Sequence, residues 1–174
     1  LVDTWSGLLN RPAETIGAFP GNVISGNREP TDQPGLVSGG ILITGNVNKV
    51  FGNIVGLTRD ARSALANQQG IEILSGSDNE IGGPSEEGEP IRANIISANL
   101  DDGVLIRGSD SHRNLIRNNQ IGGSPLFDAD PDLGNGRAGV TLRGSGRGNS
   151  IGGLERKEGN TIIGNEDDGV FFDA

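Results

Sequence analysis

Two pairs of adjacent carboxylates, Asp101-Asp102 and Asp167-Asp168, carry the most chemical potential in this chain. Paired carboxylates can divide general acid and base work, one protonating a leaving oxygen while the other activates water. Should the chain be an enzyme, Asp101 and Asp102 with Arg107 and Arg137 form the candidate catalytic set. Arg117 and Arg143 are further cations of the kind a lyase uses as a base. A second cluster, Asp128, Asp130 and Asp132, alternates carboxylates so that their oxygens could converge on one Ca2+. Leu133 stands where an EF-hand loop needs glycine and no glutamate closes the loop, so the expected calcium site is weak and no cofactor is required. His112 is the one histidine and lies in Asp110-Ser111-His112-Arg113. These side chains are too close in sequence to form a Ser-His-Asp relay among themselves, and an exposed corner histidine is expected.

The chain that must position these groups has 174 residues, of which 30 are Gly and none is Cys, Met or Tyr. That length suits one domain with an apolar core. A formal net charge of −9 argues against wrapping nucleic acid, whose phosphates demand clustered Lys and Arg. No apolar run is long enough for membrane insertion. Absence of cysteine excludes disulfides, thiolate metal sites and cysteine nucleophiles. One Trp and five Phe are few for a long polysaccharide groove built on aromatic platforms.

Internal repetition organises the sequence. Gly followed by apolar-x-apolar recurs at Gly40, Gly70, Gly103, Gly139 and Gly169, at intervals of 30, 33, 36 and 30 residues. Between these markers lies Asn-x-(Ile/Val), as in Asn79-Glu80-Ile81, Asn114-Leu115-Ile116, Asn119-Gln120-Ile121 and Asn160-Thr161-Ile162. Each interval thus holds three short β segments, with variable inserts at alternating corners. The sequence unit is a two-coil repeat of 63–66 residues running from about residue 15, preceded by an irregular lead-in over 1–14.

Short strands without helical periodicity predict an all-β fold: a right-handed, three-faced parallel β-helix (a β-solenoid) of about five coils, with residues 1–174 as a single domain. Strand alternation turns Ile41, Ile43, Ile71, Ile73, Val104, Ile106, Val140 and Leu142 inward. The other two segments add Val50, Val55, Ile81, Ile96, Ile116, Ile121, Ile151 and Ile162, and Phe172 is also expected inside. Gly and Asn are expected to supply positive φ at the corners, and Asn to stack as an amide ladder. The outward columns read Leu42, Glu72, Leu105, Thr141, Phe171 and Val23, Ile54, Ile95, Gln120, Thr161. Each is either a contact patch or a face covered by inserts.

The phrases Asn22-Val23-Ile24-Ser25-Gly26-Asn27, Asn79-Glu80-Ile81-Gly82-Gly83 and Leu133-Gly134-Asn135-Gly136 resemble the repeats of large bacterial right-handed parallel β-helix surface proteins. The resemblance implies an exported, adhesin-like protein located outside the cell or on its surface. The same solenoid superfamily includes pectate lyases and polygalacturonases, so it also admits a polysaccharide lyase or glycoside hydrolase fragment. The Asn-Thr-Asp, Gly-His-Gly and Arg-Ile-Lys signatures of polygalacturonase-like enzymes are missing here. A solvated acidic corner, with Arg137 lying between the two aspartate pairs, is therefore the expected arrangement.

The leading expectation is a structural solenoid that self-associates end to end or with neighbouring coils, as a scaffold, matrix component or filament. Joining Phe172-Asp173-Ala174 directly to a following Leu1 would place 45 residues between Gly169 and the next Gly40. That breaks the observed intervals, so a slice of a longer solenoid is expected, with completion by non-covalent stacking of subunits as the alternative. A Ca-dependent carbohydrate-binding or adhesion module is the third reading, resting on Asp128, Asp130 and Asp132.

Overall fold

The computed structural model of the chain describes residues 21–28, 39–84, 92–124 and 132–173. The lead-in over 1–14, Asp128 and Asp130 lie outside the described residues. Among the described residues there is no helix. In chain order the strands are β1 (Val23–Ile24), β2 (Gly39–Ile43), β3 (Lys49–Val50), β4 (Ile54–Val55), β5 (Gln69–Leu74), β6 (Glu80–Ile81) and β7 (Ile95–Ile96). They continue as β8 (Val104–Arg107), β9 (Leu115–Ile116), β10 (Gln120–Ile121), β11 (Val140–Arg143), β12 (Ser150–Ile151), β13 (Thr161–Ile162) and β14 (Val170–Asp173).

Each strand from β1 to β11 pairs in parallel with the strand three places on. Sheet one runs β2-β5-β8-β11-β14, sheet two β3-β6-β9-β12, and sheet three β1-β4-β7-β10-β13. The result is a parallel β-solenoid of about four turns.

The period-two pattern accounts for the core. Ile43, Ile71, Ile73, Val104, Ile106, Val140 and Leu142 from sheet one pack with Val55, Ile81, Ile96, Ile116 and Ile121 from the other two. Ile41, Val50, Ile151 and Ile162 join them from the coils nearest the two ends. β-branched side chains suit this place, since each stacks on its equivalent in the next coil with little rotamer freedom to lose. Burying each contributes roughly 1.5–3 kcal/mol. Phe172 occupies the inward register, opposite Leu142, yet is 68% exposed because no described coil lies beyond β14.

Three asparagine ladders clamp the coils. One runs Asn22, Asn53, Asn94, Asn119, Asn160. The second runs Asn27, Asn67, Asn99, Asn135, Asn165. The third runs Asn48, Asn79, Asn114, Asn149. At every step an Nδ2 donates to the Oδ1 one coil further along, and at most steps the backbone N–H of the same residue donates there too.

The expectation that these asparagines supply positive φ is corrected. Asn118, which belongs to no ladder, is the one asparagine among the described residues with positive φ. The ladders also bear on the glycines at positions 40, 70, 103 and 139, which open four of the sheet-one segments. A Cβ on Gly40, Gly70, Gly103 or Gly139 would fall 2.9, 3.0, 2.7 or 2.8 Å from the Nδ2 of Asn67, Asn99, Asn135 or Asn165. Glycine is required there because the backbone carbonyl of the next coil's glycine, at 2.7, 2.2, 2.7 and 2.7 Å, and the amide ladder both crowd that position. At Gly122 both reasons apply: its φ is +80° and a Cβ would meet Ile163 O at 2.1 Å.

The outward column of sheet three is not an exposed contact patch. Ile54 and Ile95 are 2% and 0% exposed, packed with Leu57, Ala61, Ala98 and Leu133 in a second apolar cluster. The insert after β4 folds back over the sheet, held by the Leu57–Ala64 bridge and by Ser124 Oγ donating to Ala61 O at 2.9 Å. On sheet one the apolar column is interrupted. Leu42 and Phe171 are 50% and 38% exposed at opposite ends, whereas Leu105, Glu72 and Thr141 between them are buried.

Candidate functional site

The outer face of sheet one carries a groove of about 330 Å³ where the last three coils meet. The register builds it. Asp101 N–H bonds Gln68 O and Asp167 N–H bonds Arg137 O, which aligns Gln68, Asp101, Arg137 and Asp167 in one column. One place further along, Gly103 N–H bonds Ala138 O and Gly139 N–H bonds Asp168 O, which aligns Asp102, Ala138 and Asp168. Asp102, Arg137, Asp167 and Asp168 therefore form one wall, Arg143 and Asp173 the other, with Thr141 and Phe171 between them. Arg137 lies between the coils of the two aspartate pairs, as the repeat arithmetic implies.

The paired carboxylates differ, and Asp101 is not among the residues that line the groove. Asp102 is buried and its Oδ1 accepts from Thr141 Oγ1 at 2.7 Å. Asp101 is half-buried and its Oδ2 accepts from Gln68 Nε2 at 2.9 Å. Asp167 and Asp168 are exposed. Two coil steps separate the pairs, about 10 Å along the axis. That is beyond the ~5–5.5 Å of a retaining glycosidase and close to the upper end of the range for an inverting one. Arg143 pairs loosely with Asp173 at 3.5 Å.

Arg107 does not join the groove. It stands in register with Arg143 but turns to Glu72, whose buried carboxylate accepts its Nε–H. Arg117 is also committed elsewhere, bridging Glu80 and Glu158. The hydrogen bonds that Arg117 donates to the Glu80 carboxylate are the main cause that raises its pKa above the ordinary arginine value. Asn118 N–H donates to Glu158 O at 3.2 Å, and Asn118 Nδ2 donates to Gly83 O at 2.8 Å. The Arg117 corner thus ties the insert around Glu158 to the coil below. Sequence reasoning missed this triad, because Glu80 and Glu158 lie 37 and 41 residues from Arg117.

His112 is half-buried and structural, a correction to the exposed corner expected for it. Its Nδ1 accepts from Arg147 N–H at 2.8 Å, and a Cβ on Gly146 would fall 2.2 Å from that nitrogen. Beside it, Arg113 forks onto Asp78 with two 2.7 Å bonds. The guanidinium hydrogen bond holds the Asp78 carboxyl below its ordinary value. Of the calcium candidates, Asp132 is described and is exposed. Among the described residues no group of three or more His, Cys, Asp or Glu side chains could hold a metal ion. No helix among them is long and apolar enough to cross a membrane.

The fold and its clamps define a class, the parallel β-solenoid with internal asparagine ladders. No protein-family model, curated protein or solved structure matches the chain.

Proposed function

We propose that this protein is an exported structural solenoid of the extracellular space or cell surface, a stiff scaffold or matrix component that works by coil stacking and displays its inserts. The observation that carries this reading is the use of the polar residues. Asparagines repeat at three positions per coil and are consumed in clamping coil to coil. Arg107 and Arg117, two cations a catalyst would need, are spent on Glu72, Glu80 and Glu158. Placement outside the cell rests on the likeness of the repeats to those of bacterial surface proteins.

A second reading is favoured by one observation, that Asp102, Arg137, Asp167 and Asp168 line a single groove. It is a polysaccharide lyase or glycoside hydrolase of the pectate-lyase-like fold. One experiment separates the two readings. The protein is incubated with neutral and acidic polysaccharides, with and without Ca2+, while unsaturated products, reducing ends and binding heats are followed. The scaffold reading expects no turnover and no saturable heat. Turnover abolished by Asp102→Asn would establish the enzyme. Calcium-dependent saturable binding without turnover would establish the carbohydrate-binding module and the loop at Asp128, Asp130 and Asp132.

A further inference from the structure

A fourth run of coil-to-coil hydrogen bonds lies outside the asparagine ladders, at the corner between sheets one and two. Asn46, Ser77, His112 and Arg147 each stand two places before a ladder asparagine, Asn48, Asn79, Asn114 and Asn149. At each step a side chain accepts the backbone N–H of the next coil. Asn46 Oδ1 accepts from Ser77 N–H at 2.8 Å, Ser77 Oγ from His112 N–H at 3.1 Å, and His112 Nδ1 from Arg147 N–H at 2.8 Å. Amide and hydroxyl oxygens accept at any physiological pH, whereas an imidazole nitrogen accepts only while it carries no proton. We propose that His112 is a pH-sensitive latch: proton uptake by its imidazole releases Arg147 N–H and loosens the 144–147 corner between β11 and β12.

The geometry dictates the chemistry. A backbone N–H can only donate, so the neutral ring carries its proton on Nε2 and turns its Nδ1 lone pair to Arg147. A second proton, on Nδ1, sets donor against donor. Rotating the ring gives no escape, because an imidazolium donates from both nitrogens. Sideways movement is blocked as well. A Cβ on Gly146 would fall 2.2 Å from Nδ1 and 2.5 Å from Cε1, so the backbone there already rests against the ring. The conflict is relieved by the corner moving away.

The charged residues of the three stacked corners, 75–78, 108–113 and 144–148, are Asp78, Asp110, Arg113 and Arg147. Asp78 is already gripped by the fork of Arg113, and Asp110 and Arg147 are exposed. Asp78 lies near enough to attract an imidazolium. That attraction bears on the pH at which the ring charges, but it returns no acceptor to Arg147 N–H.

The opening stays local, because the neighbouring bonds involve no group that titrates in this range. Arg113 N–H donates to Arg147 O at 3.0 Å, and Asn149 Nδ2 donates to Ser111 O at 2.8 Å. Asn114 remains clamped to Asn149 Oδ1 through both its N–H and its Nδ2. Coil stacking therefore survives while one corner is released, a device that goes beyond a scaffold role and does not depend on it.

The test is amide hydrogen exchange by nuclear magnetic resonance on the full chain between about pH 8 and pH 5, where histidine side chains change charge. Each amide is referred to its intrinsic rate at the same pH. His112 is the one histidine, so its ring protons report its charge without overlap. Protection of Arg147 N–H is expected to fall by about three- to tenfold as the ring charges, the worth of one hydrogen bond. The Ser77 and His112 amides, whose acceptors are Asn46 and Ser77, should keep theirs. His112→Asn installs the kind of acceptor that Asn46 supplies and should show no such fall. Arg147 protection that stays constant while the His112 ring charges would overturn the proposal, and so would the same fall in His112→Asn.

Discussion

Replacing Asn94 by Ala should damage the solenoid far more than the same change at Asn22, although both belong to one ladder. Asn94 is fully buried. Its Oδ1 accepts from Asn53 N–H at 3.0 Å and Asn53 Nδ2 at 3.1 Å, and its own Nδ2 donates to Asn119 Oδ1 at 2.9 Å and Val50 O at 2.8 Å. Partial compensation is visible: Asn53 Nδ2 keeps Phe51 O, Val50 O keeps Gly82 N–H, and Asn119 Oδ1 keeps Asn94 N–H. What remains is the buried N–H of Asn53 with no acceptor. An orphaned buried donor costs ~1–3 kcal/mol and the lost bonds add to it, for a total of about 3–5 kcal/mol. At Asn22 the side chain is exposed and loses one bond, to Asn53 Oδ1 at 3.1 Å, an acceptor still served by Asn22 N–H. That costs about 0.5–1 kcal/mol. Urea unfolding followed by circular dichroism reads the difference directly. In thermal melts it corresponds to a loss of roughly 6–20 °C against about 1–4 °C. Equal losses at the two positions would refute the claim that the ladders clamp the interior.

Gly103→Ala should destabilise by about 1–3 kcal/mol through overpacking, since a Cβ there meets Asn135 Nδ2, Gly139 O and Ile121 Cγ2 within 2.8 Å. Chemical denaturation checks it, and a neutral result would remove the coupling between the glycine repeat and the ladder. Arg117→Met should free Glu158 and raise amide exchange around Glu155–Glu158 while leaving β8 protected; unchanged exchange would deny the triad its clasping role. Asp60 and Asp78 have carboxyl groups held below their ordinary value of 3.8, chiefly by the Thr58 hydroxyl and the Arg113 guanidinium respectively. Their contribution is complete above the unfolded value and is lost as pH falls through the lower folded one. Asp78→Asn should therefore flatten the loss of stability below about pH 4, while leaving its positive-φ corner in a conformation Asn tolerates; an unchanged slope would contradict this.

The inward set was legible because strand alternation leaves each apolar residue one choice of side, and recurrence in successive coils repeats that choice. The asparagine ladders were legible as a recurring residue type, but their link to the Gly40, Gly70, Gly103 and Gly139 positions was not. That link is a close approach between coils, invisible to any local rule about φ. The fate of Ile54 and Ile95 was equally hidden, because burial of an outward residue depends on where an insert returns. At the groove, spacing placed Arg137 between the coils of the aspartate pairs. It could not reveal that Arg107 is drawn away by Glu72, a partner 35 residues distant.

The solenoid itself is most directly tested by methyl-selective isotope labelling of Ile and Leu with nuclear Overhauser spectroscopy. Stacked coils predict contacts in sequence from Ile43 to Ile73, Ile106 and Leu142, which the register places opposite one another in adjacent strands. Contacts that skip a coil, or none between these residues, would contradict the architecture on which every conclusion here depends.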